Sequence, residues 1–502
     1  MSLFYCALDF AFFQWHETRA NIVFKKEYFH GKSESRVNTK KRLPRGLVVA
    51  GLGGGSGKSV VSVGLVALLA GMGHKVAPFK KGPDYIDAGW LSLAAGRPCY
   101  NLDPYLMDED AMLASFAEHA ADNDFVIVEG NRGLYDGVDA SGTYSTAELS
   151  VRLGLPVLLV VDCTKTTRTV AALVLGCKLL DANVNIAGVV LNRIGSSRHE
   201  MIVREAVEKY TGIPVVGAIR RMKKDIFPMR HLGVTPFQEY DGSEEALQLL
   251  AKTIDKSVRL ADVEPLMATP VMAPRQRNPG SNSEGKTVRI GVIRDAAFQF
   301  YYPENLLALE RCGAELVEIN SMVADELPDI DALYIGGGFP ETSARLLADN
   351  VPFRQSIRQR AEQGLPIYAE CGGLIYLGEK ITLEGEDYPL VGLFPVHFTL
   401  EKKPQAHGYS ILEARSGNPF YEQGVQIKGH EFRYSKVAAW SGHADALGFD
   451  MKRGVGFIDG RDGLIHKNVL ALYTHVHAVG TPQWAPALAA KAGEFAGSRS
   501  EG

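Results

Sequence analysis

Six short, mostly apolar runs, LVVA (47–50), KVAPF (75–79), DFVIVE (124–129), PVLLVVD (156–162), NIAGVVLN (185–192) and IPVVGAI (213–219), are separated by stretches that read as helices. Little polar alternation interrupts them, so both faces of each strand need cover, as in a parallel sheet between two helix layers. A different α/β series starts at VRIGVIRD (288–295) and continues through AELVEIN (314–320), DALYIGGG (331–338) and LPIYAEC (365–371). PLVGLFPVHF (389–398) and VLALYTHVH (469–477) add strands. Between the two series lies PLMATPVMAPRQRNPGSNSEGK, a Pro, Ser, Asn and Gly stretch suited to a linker. A chain of 502 residues is too long for one core. The expected fold is α/β with two domains: a doubly wound parallel sheet over 44–262, a linker over 263–286, a second α/β domain over 287–495 and a tail over 496–502.

The first 43 residues begin apolar but lack a basic n-region and a small-residue cleavage site, and they run into GKSESRVNTKKR. They are expected to form a disordered or loosely docked extension, with an over-extended start as the competing reading. No run of about twenty apolar residues argues for a membrane span. A net charge of -4 gives no reason to expect a nucleic-acid or membrane partner. The six cysteines, at 6, 99, 163, 177, 312 and 371, show no CxxC or metal-ligand spacing and suit reduced thiols in a cytoplasmic protein.

The first strand runs into Gly51-Leu-Gly-Gly-Gly-Ser-Gly-Lys-Ser59 and then a helical stretch. Backbone N–H groups of Gly53, Gly54, Gly55, Ser56 and Gly57 can wrap the phosphates of ATP at a helix N-terminus, while Lys58 reaches the terminal phosphates and Ser59 ligates Mg2+. Leu52 stands where the strict loop pattern has its first glycine. Glu129, closing the strand FVIVE, is expected as a second magnesium ligand. FKKGPDYID (79–87) leaves a strand on the same side of the sheet, where open α/β sheets bind ligands. Lys80 is placed to contact a transferred phosphate and Asp84 to meet the metal or the substrate, whereas Lys81 reads as a solvated loop charge.

KKGPDYIDAGW, RPCYNLDPYLM (97–107) and VEGNRGLYDG (128–137) resemble stretches of the cobyrinic acid a,c-diamide synthases, whose phosphate loop is of the dethiobiotin synthetase type. The resemblance implies that ATP phosphorylates a substrate carboxylate and ammonia displaces the phosphate. It also implies that Asp84, Tyr85 and Ile86 help to select a corrinoid substrate and that Asn192 contacts adenine. A MinD-type regulatory ATPase would carry Lys where Leu52 stands.

Cys371 follows the apolar strand PIYAE and precedes Gly372-Gly and a helical stretch, the strand–turn–helix elbow that exposes a nucleophile. Gly336 to Gly338 offer further N–H groups, so Gly337, Gly338 and Gly372 are the expected oxyanion and glutamine contacts. In ALYTHVH, His475 and His477 fall on one face of a strand. These features resemble the class I glutamine amidotransferase domain of cobyrinic and cobyric acid synthases, which makes His475 the base. His477 stands where related domains carry the glutamate that orients the base, and the third triad member is left open. His430 and Glu431 of GHEFRYS, and His397, read as structural. The function expected is ATP- and glutamine-dependent amidation of the a and c carboxylates of cobyrinic acid, with a homodimer as a compatible assembly. The rivals are amidation of nickel-sirohydrochlorin or hydrogenobyrinic acid, cobyric acid synthesis, and a regulatory ATPase with an inert amidotransferase-like domain.

Overall fold

A computed structural model describes residues 43–222, 229–230, 233–240, 242–272 and 287–500. The N-terminal extension and most of the expected linker lie outside these residues. The first domain is built on β1 (Arg45–Gly51), β2 (Val76–Lys81), β3 (Tyr100–Leu102), β4 (Phe125–Glu129), β5 (Val157–Asp162), β6 (Ile186–Ile194) and β7 (Val215–Arg220). The sheet is parallel, in the order β3-β2-β4-β1-β5-β6-β7. Helices α1 (Lys58–Gly71), α2 (Ile86–Ala95), α3 (Glu109–Ala120), α4 (Thr146–Leu153), α5 (Thr169–Leu180), α6 (Ser197–Thr211) and α7 (Ser243–Ser257) cover it. One apolar core, with Val61, Leu65, Leu91, Leu250 and Ile254, gathers α1, α2 and α7 on one face. Another, with Phe116, Leu149, Val174 and Val203, gathers α3 to α6 on the other. Both faces of the strands are therefore dry, as their apolar runs require.

Register places the chemistry. Glu129 pairs with Val49 of β1 and with Lys80 of β2, so the acid, the lysine and the phosphate loop leave the same C-terminal edge of the sheet. The segment expected as linker is partly structural: Val263 and Met267 are buried in the α1 and α7 core, and Ala268 bridges to Gly46. Alternating apolar residues among the prolines are what seat it.

The second domain contains β8 (Val288–Ile293), β9 (Ala314–Ile319), β10 (Ala332–Ile335), β11 (Ile367–Glu370), β12 (Ala406–Ala414), β13 (Gln426–Arg433), β14 (Leu447–Arg453), β15 (Arg461–His466), β16 (Val469–Leu472) and β17 (His475–Val476). They form one mixed sheet in the order β9-β8-β10-β11-β16-β15-β14-β12-β13-β17. Helices α8 (Pro303–Arg311), α9 (Val351–Glu362), α10 (Gly372–Leu377) and α11 (Trp484–Ser500) pack against it. A smaller sheet of 380–383, 386–389, 396–400 and 435–440 lies beyond α10.

Three local expectations change. The run 389–398 is not one strand: residues 390–395 form a turn, and pairing resumes at Val396. The run 469–477 breaks at Tyr473-Thr474, because the buried Asp462 carboxylate accepts the amides of both residues. Beyond the break, β17 ends at Val476, so His477 lies outside the strand that carries His475. The expected tail is helical to Ser500, with Arg499 paired to Asp329. Among the described residues no helix is long and apolar enough to cross a membrane.

Candidate active site

At the phosphate loop, Gly57 has φ 97°, and a Cβ there would meet Asn192 Nδ2 at 2.1 Å, so only glycine fits between the loop and β6. A Cβ at Gly53, Gly54 or Gly55 would meet nothing within 4 Å, leaving open space against the main chain. Ser56 Oγ and Lys58 Nζ both donate to Gly53 O, at 2.7 and 3.1 Å. Asn192 donates from Nδ2 to Ser56 O at 2.9 Å and accepts from Arg193 N. It braces the loop, and only its remaining N–H and oxygen lone pair stay available to a base.

Beside the loop, the buried Lys80 ammonium lies 2.7 Å from Asp87 Oδ2, 3.0 Å from Glu129 Oε1 and 3.7 Å from Asp84 Oδ2. Burial alone would lower its pKa, but Asp87, Glu129 and Asp84 together hold it well above the ordinary lysine value. Burial pushes Glu129 up, and burial with the neighbouring Asp87 charge raises Asp84 to about 7. Ser59 Oγ donates to Glu129 Oε1 at 2.8 Å, and Ser62 to its other oxygen. Ser59, Glu129 and Asp84 present hard oxygen donors suited to Mg2+ beside the phosphate loop. Among the described residues no cluster of three His, Cys, Asp or Glu side chains is pre-assembled around a cation, and Lys80 balances the carboxylates in its place. Asp87, absent from the expected site, joins the group through Lys80. Lys81 is not a solvated charge: it ends β2 at 5% exposure, because β3 and β4 flank the strand. Ile86 is half-buried at the start of α2, packed on the first core.

The second cluster forms where β11 and β16 end side by side, with Glu370 in register with Leu472 and Cys371 N donating to Leu472 O at 2.8 Å. Cys371 has φ 46° and ψ -95°, the strained turn of a nucleophile elbow, and is 7% exposed at the start of α10. Three residues beyond Leu472, His475 enters the site, its turn held by Asp462. Its Nδ1 lies 3.4 Å from Glu370 Oε2. Burial tends to lower the His475 pKa, but Cys371 and then Glu370 outweigh it and raise it to about 10. A Cβ on Gly337 would lie 2.3 Å from His475 Cε1, so this glycine gives the ring its place. Gly338 and Gly372 are close neighbours: a Cβ on Gly372 would lie 3.0 Å from Gly338 N. The three glycines therefore line one corner with Cys371 and His475.

His477 does not stand behind His475. Its Nε2 lies 3.6 Å from Glu304 Oε2, and its Nδ1 accepts from Val479 N. Glu304 also accepts from Asn101 N in the first domain at 3.0 Å, and Asn101 Nδ2 donates to Gly82 O and Asp84 O. His430 stacks on His475, ring centroids 4.9 Å apart, and burial holds it well below the usual histidine value. Glu431 accepts the amides of Val455 and Gly456, a purely local role. His397 pairs with Glu379 in the smaller sheet.

The two clusters meet through the loop 82–85. Tyr85 stacks on Phe300 with centroids 5.1 Å apart, lies 5.4 Å from the His475 ring, and touches Tyr302 and His430. Phe300 in turn bridges to Gly337. Asp87, Asn101, Glu304, Phe300 and Glu370 carry no assigned role in the sequence reading; Asp87, Asn101 and Glu370 stand within quoted motifs, and Glu304 and Phe300 have no local signal.

Residues 47–233 match the CobQ/CobB/MinD/ParA nucleotide binding domain model, and 289–482 the CobB/CobQ-like glutamine amidotransferase domain model. Over 454 residues the chain is 41% identical to the cobyrinate a,c-diamide synthase of Magnetococcus marinus, covering 89% of this chain and 97% of that one. It is 42% identical over 440 residues to the cobyrinate a,c-diamide synthase of Archaeoglobus fulgidus, covering 87% and 94%.

Proposed function

Because the chain belongs to the cobyrinate a,c-diamide synthase family, we propose that it amidates the a and c side-chain carboxylates of cobyrinic acid in cobalamin biosynthesis, using ATP and glutamine. The observation that carries the reading is the loop 82–85: Asp84 lies in the Lys80 and Glu129 cluster, while the next residue, Tyr85, lies against His475. A nitrogen source and an acid-activating site are thus joined by two consecutive residues. Ammonia is protonated in bulk water, so proximity of this kind is what a nitrogen transfer needs.

At the glutaminase end, the Cys371 thiolate attacks the side-chain carboxamide carbon of glutamine, and the carbonyl electrons move to oxygen beside Gly337, Gly338 and Gly372. As the intermediate collapses, the C–N bond breaks and the leaving nitrogen takes a proton from His475, departing as ammonia. Water then attacks the thioester with His475 as base, which releases glutamate and restores Cys371.

At the synthetase end, the phosphate loop and Lys58 hold ATP, and Lys80 contacts the transferred phosphoryl group. Ser59, Glu129 and Asp84 would hold Mg2+, which neutralises phosphate charge and polarises the γ-phosphorus. A substrate carboxylate oxygen attacks that phosphorus and ADP leaves. Ammonia adds to the acyl phosphate, loses a proton and expels phosphate, leaving a carboxamide. Asp84, Tyr85 and Ile86 position the substrate.

Mass spectrometry of cobyrinic acid incubated with the protein, ATP, Mg2+ and glutamine tests the reading. Two successive acid-to-amide conversions are expected. No conversion of cobyrinic acid, with conversion of nickel-sirohydrochlorin or hydrogenobyrinic acid instead, would replace the substrate while keeping the chemistry. Nucleotide hydrolysis with no glutamate released from glutamine, whichever of these tetrapyrroles is present, would overturn the reading.

A further inference from the structure

We propose that Glu370, the residue immediately before the nucleophile, is the positioning residue for His475, filling the place that His477 leaves. The inference rests on the glutaminase reading above and goes beyond it. Glu370 is 1% exposed and His475 2%, so neither side chain has water to turn to. Glu370 Oε2 and His475 Nδ1 make no hydrogen bond elsewhere, yet lie 3.4 Å apart. Two buried polar atoms of opposite type at this distance, each without another partner, are each other's complement, and a small approach completes the bond. The other carboxylate oxygen accepts from Val476 N at 3.3 Å, so Glu370 grips the backbone next to the base as well as its ring.

Two other buried acids have partners of their own. Glu304 faces His477 and Asn101, and Asp462 spends its carboxylate on the amides of Gly463, Tyr473 and Thr474. With Nδ1 held by Glu370, Nε2 is the nitrogen left for the sulfur, the arrangement a general base requires. The placement follows from the chain itself. Glu370 and Cys371 are consecutive, and the elbow at Cys371 lets both side chains reach one imidazole from the end of a single strand.

The groups facing His475 are Cys371 and Glu370 from the elbow, His430 from β13 and Tyr85 from the loop of the first domain. His430 is held neutral by burial, so the carboxylate is the charged neighbour that favours the imidazolium apart from the sulfur. Removing it should lower the pH at which the imidazolium loses its proton.

The test is Glu370→Gln beside Glu370→Asp, assayed for glutamine-dependent and ammonia-dependent amidation. Glu370→Gln is expected to lower glutamine-dependent kcat by about 100-fold, with KM nearly unchanged, and to move the alkaline limb of the glutaminase profile to lower pH. Glu370→Asp should recover part of kcat and of the limb, and ammonia-dependent amidation should stay at the parent level in both. An unmoved alkaline limb, or equal loss of both activities in folded Glu370→Gln protein, would overturn the assignment. Should Glu370→Gln fail to fold, an unmoved limb in Glu370→Asp does the same. Failure of the functional reading looks different: the parent chain itself would release no glutamate.

Discussion

Cys371, Gly337 and Asp84 are positions where one atom decides the outcome. Cys371→Ala removes the nucleophile and leaves the synthetase cluster untouched, so glutamine-driven amidation should vanish while ammonia-driven amidation persists. Parallel assays with glutamine and with an ammonium salt check this, and equal loss of both would count against the division of labour. Gly337→Ala sets a methyl where His475 Cε1 lies, 2.3 Å away. Displacing the base by about 1 Å costs roughly 100-fold in rate, so this variant should resemble a loss of His475 in the glutaminase assay. Asp84 carries a different expectation, because its pKa is raised to about 7 from a normal carboxylate value. A raised carboxylate pKa means the folded state binds the proton more tightly than the unfolded one. Asp84 therefore costs nothing at low pH, and its cost grows as pH rises through the normal carboxylate range to about 7. Asp84→Asn should stabilise the nucleotide-free protein at pH 8 and not at pH 3.5. The side chain keeps 29% of its surface in water, so screening trims the gain to about 1 kcal/mol. Chemical denaturation at the two pH values measures it, and amidation should fall in the same variant.

The elements explain how much was legible beforehand. The phosphate loop, Glu129 and the elbow could be read because each sits at a strand end beside its own turn and helix, so local order in the chain becomes local order in space. Glu370 lies one residue from Cys371 but was read only as the end of a strand, since a lone chain does not tell which neighbour a strand-end carboxylate will face. The role of His477 stays open from sequence, because strand spacing puts it on one face with His475 and does not show that β17 ends at Val476. Asp462, whose carboxylate holds the turn that leads into β17, lies on another strand. The pairing of Asn101 with Glu304 and His477 spans two domains, and no spacing encodes it. Asp462→Ala leaves the backbone amides of Gly463, Tyr473 and Thr474 without this acceptor, which should cost about 1–3 kcal/mol of stability and lower glutaminase kcat by misplacing β17. Thermal unfolding and glutamate release measure the two effects, and a change in neither would show the turn to be held by other contacts.

At the scale of the molecule, the two sheets are docked, not tethered. Tyr105 of the first domain stacks on Tyr409 of the second at 4.1 Å, Tyr409 donates to Asp103 at 2.8 Å, and Lys428 donates to Tyr105 O at 3.2 Å. Arg311 pairs with Glu118 at the rim. The rim pair is half in water and contributes little, whereas the buried aromatic contact is the substantive one. Tyr409→Ala should therefore loosen the registration of the domains without removing a group from either site. More glutamate should then be released for each amide formed, while ammonia-dependent amidation changes little. The ratio of the two products, measured in one reaction, reads this directly, and an unchanged ratio would mean that docking survives without the ring.

Asp84 and Tyr85 are neighbours in the chain but face different clusters, one beside Lys80 and Glu129 and the other against the His475 imidazole. Adaptation of such an enzyme is therefore constrained: a replacement that retunes which acid is accepted shifts the backbone that also touches the nitrogen supply. New selectivity in this stretch should come with altered thrift in glutamine use, and lineages that change their substrate should carry compensating changes around Phe300 and Tyr302.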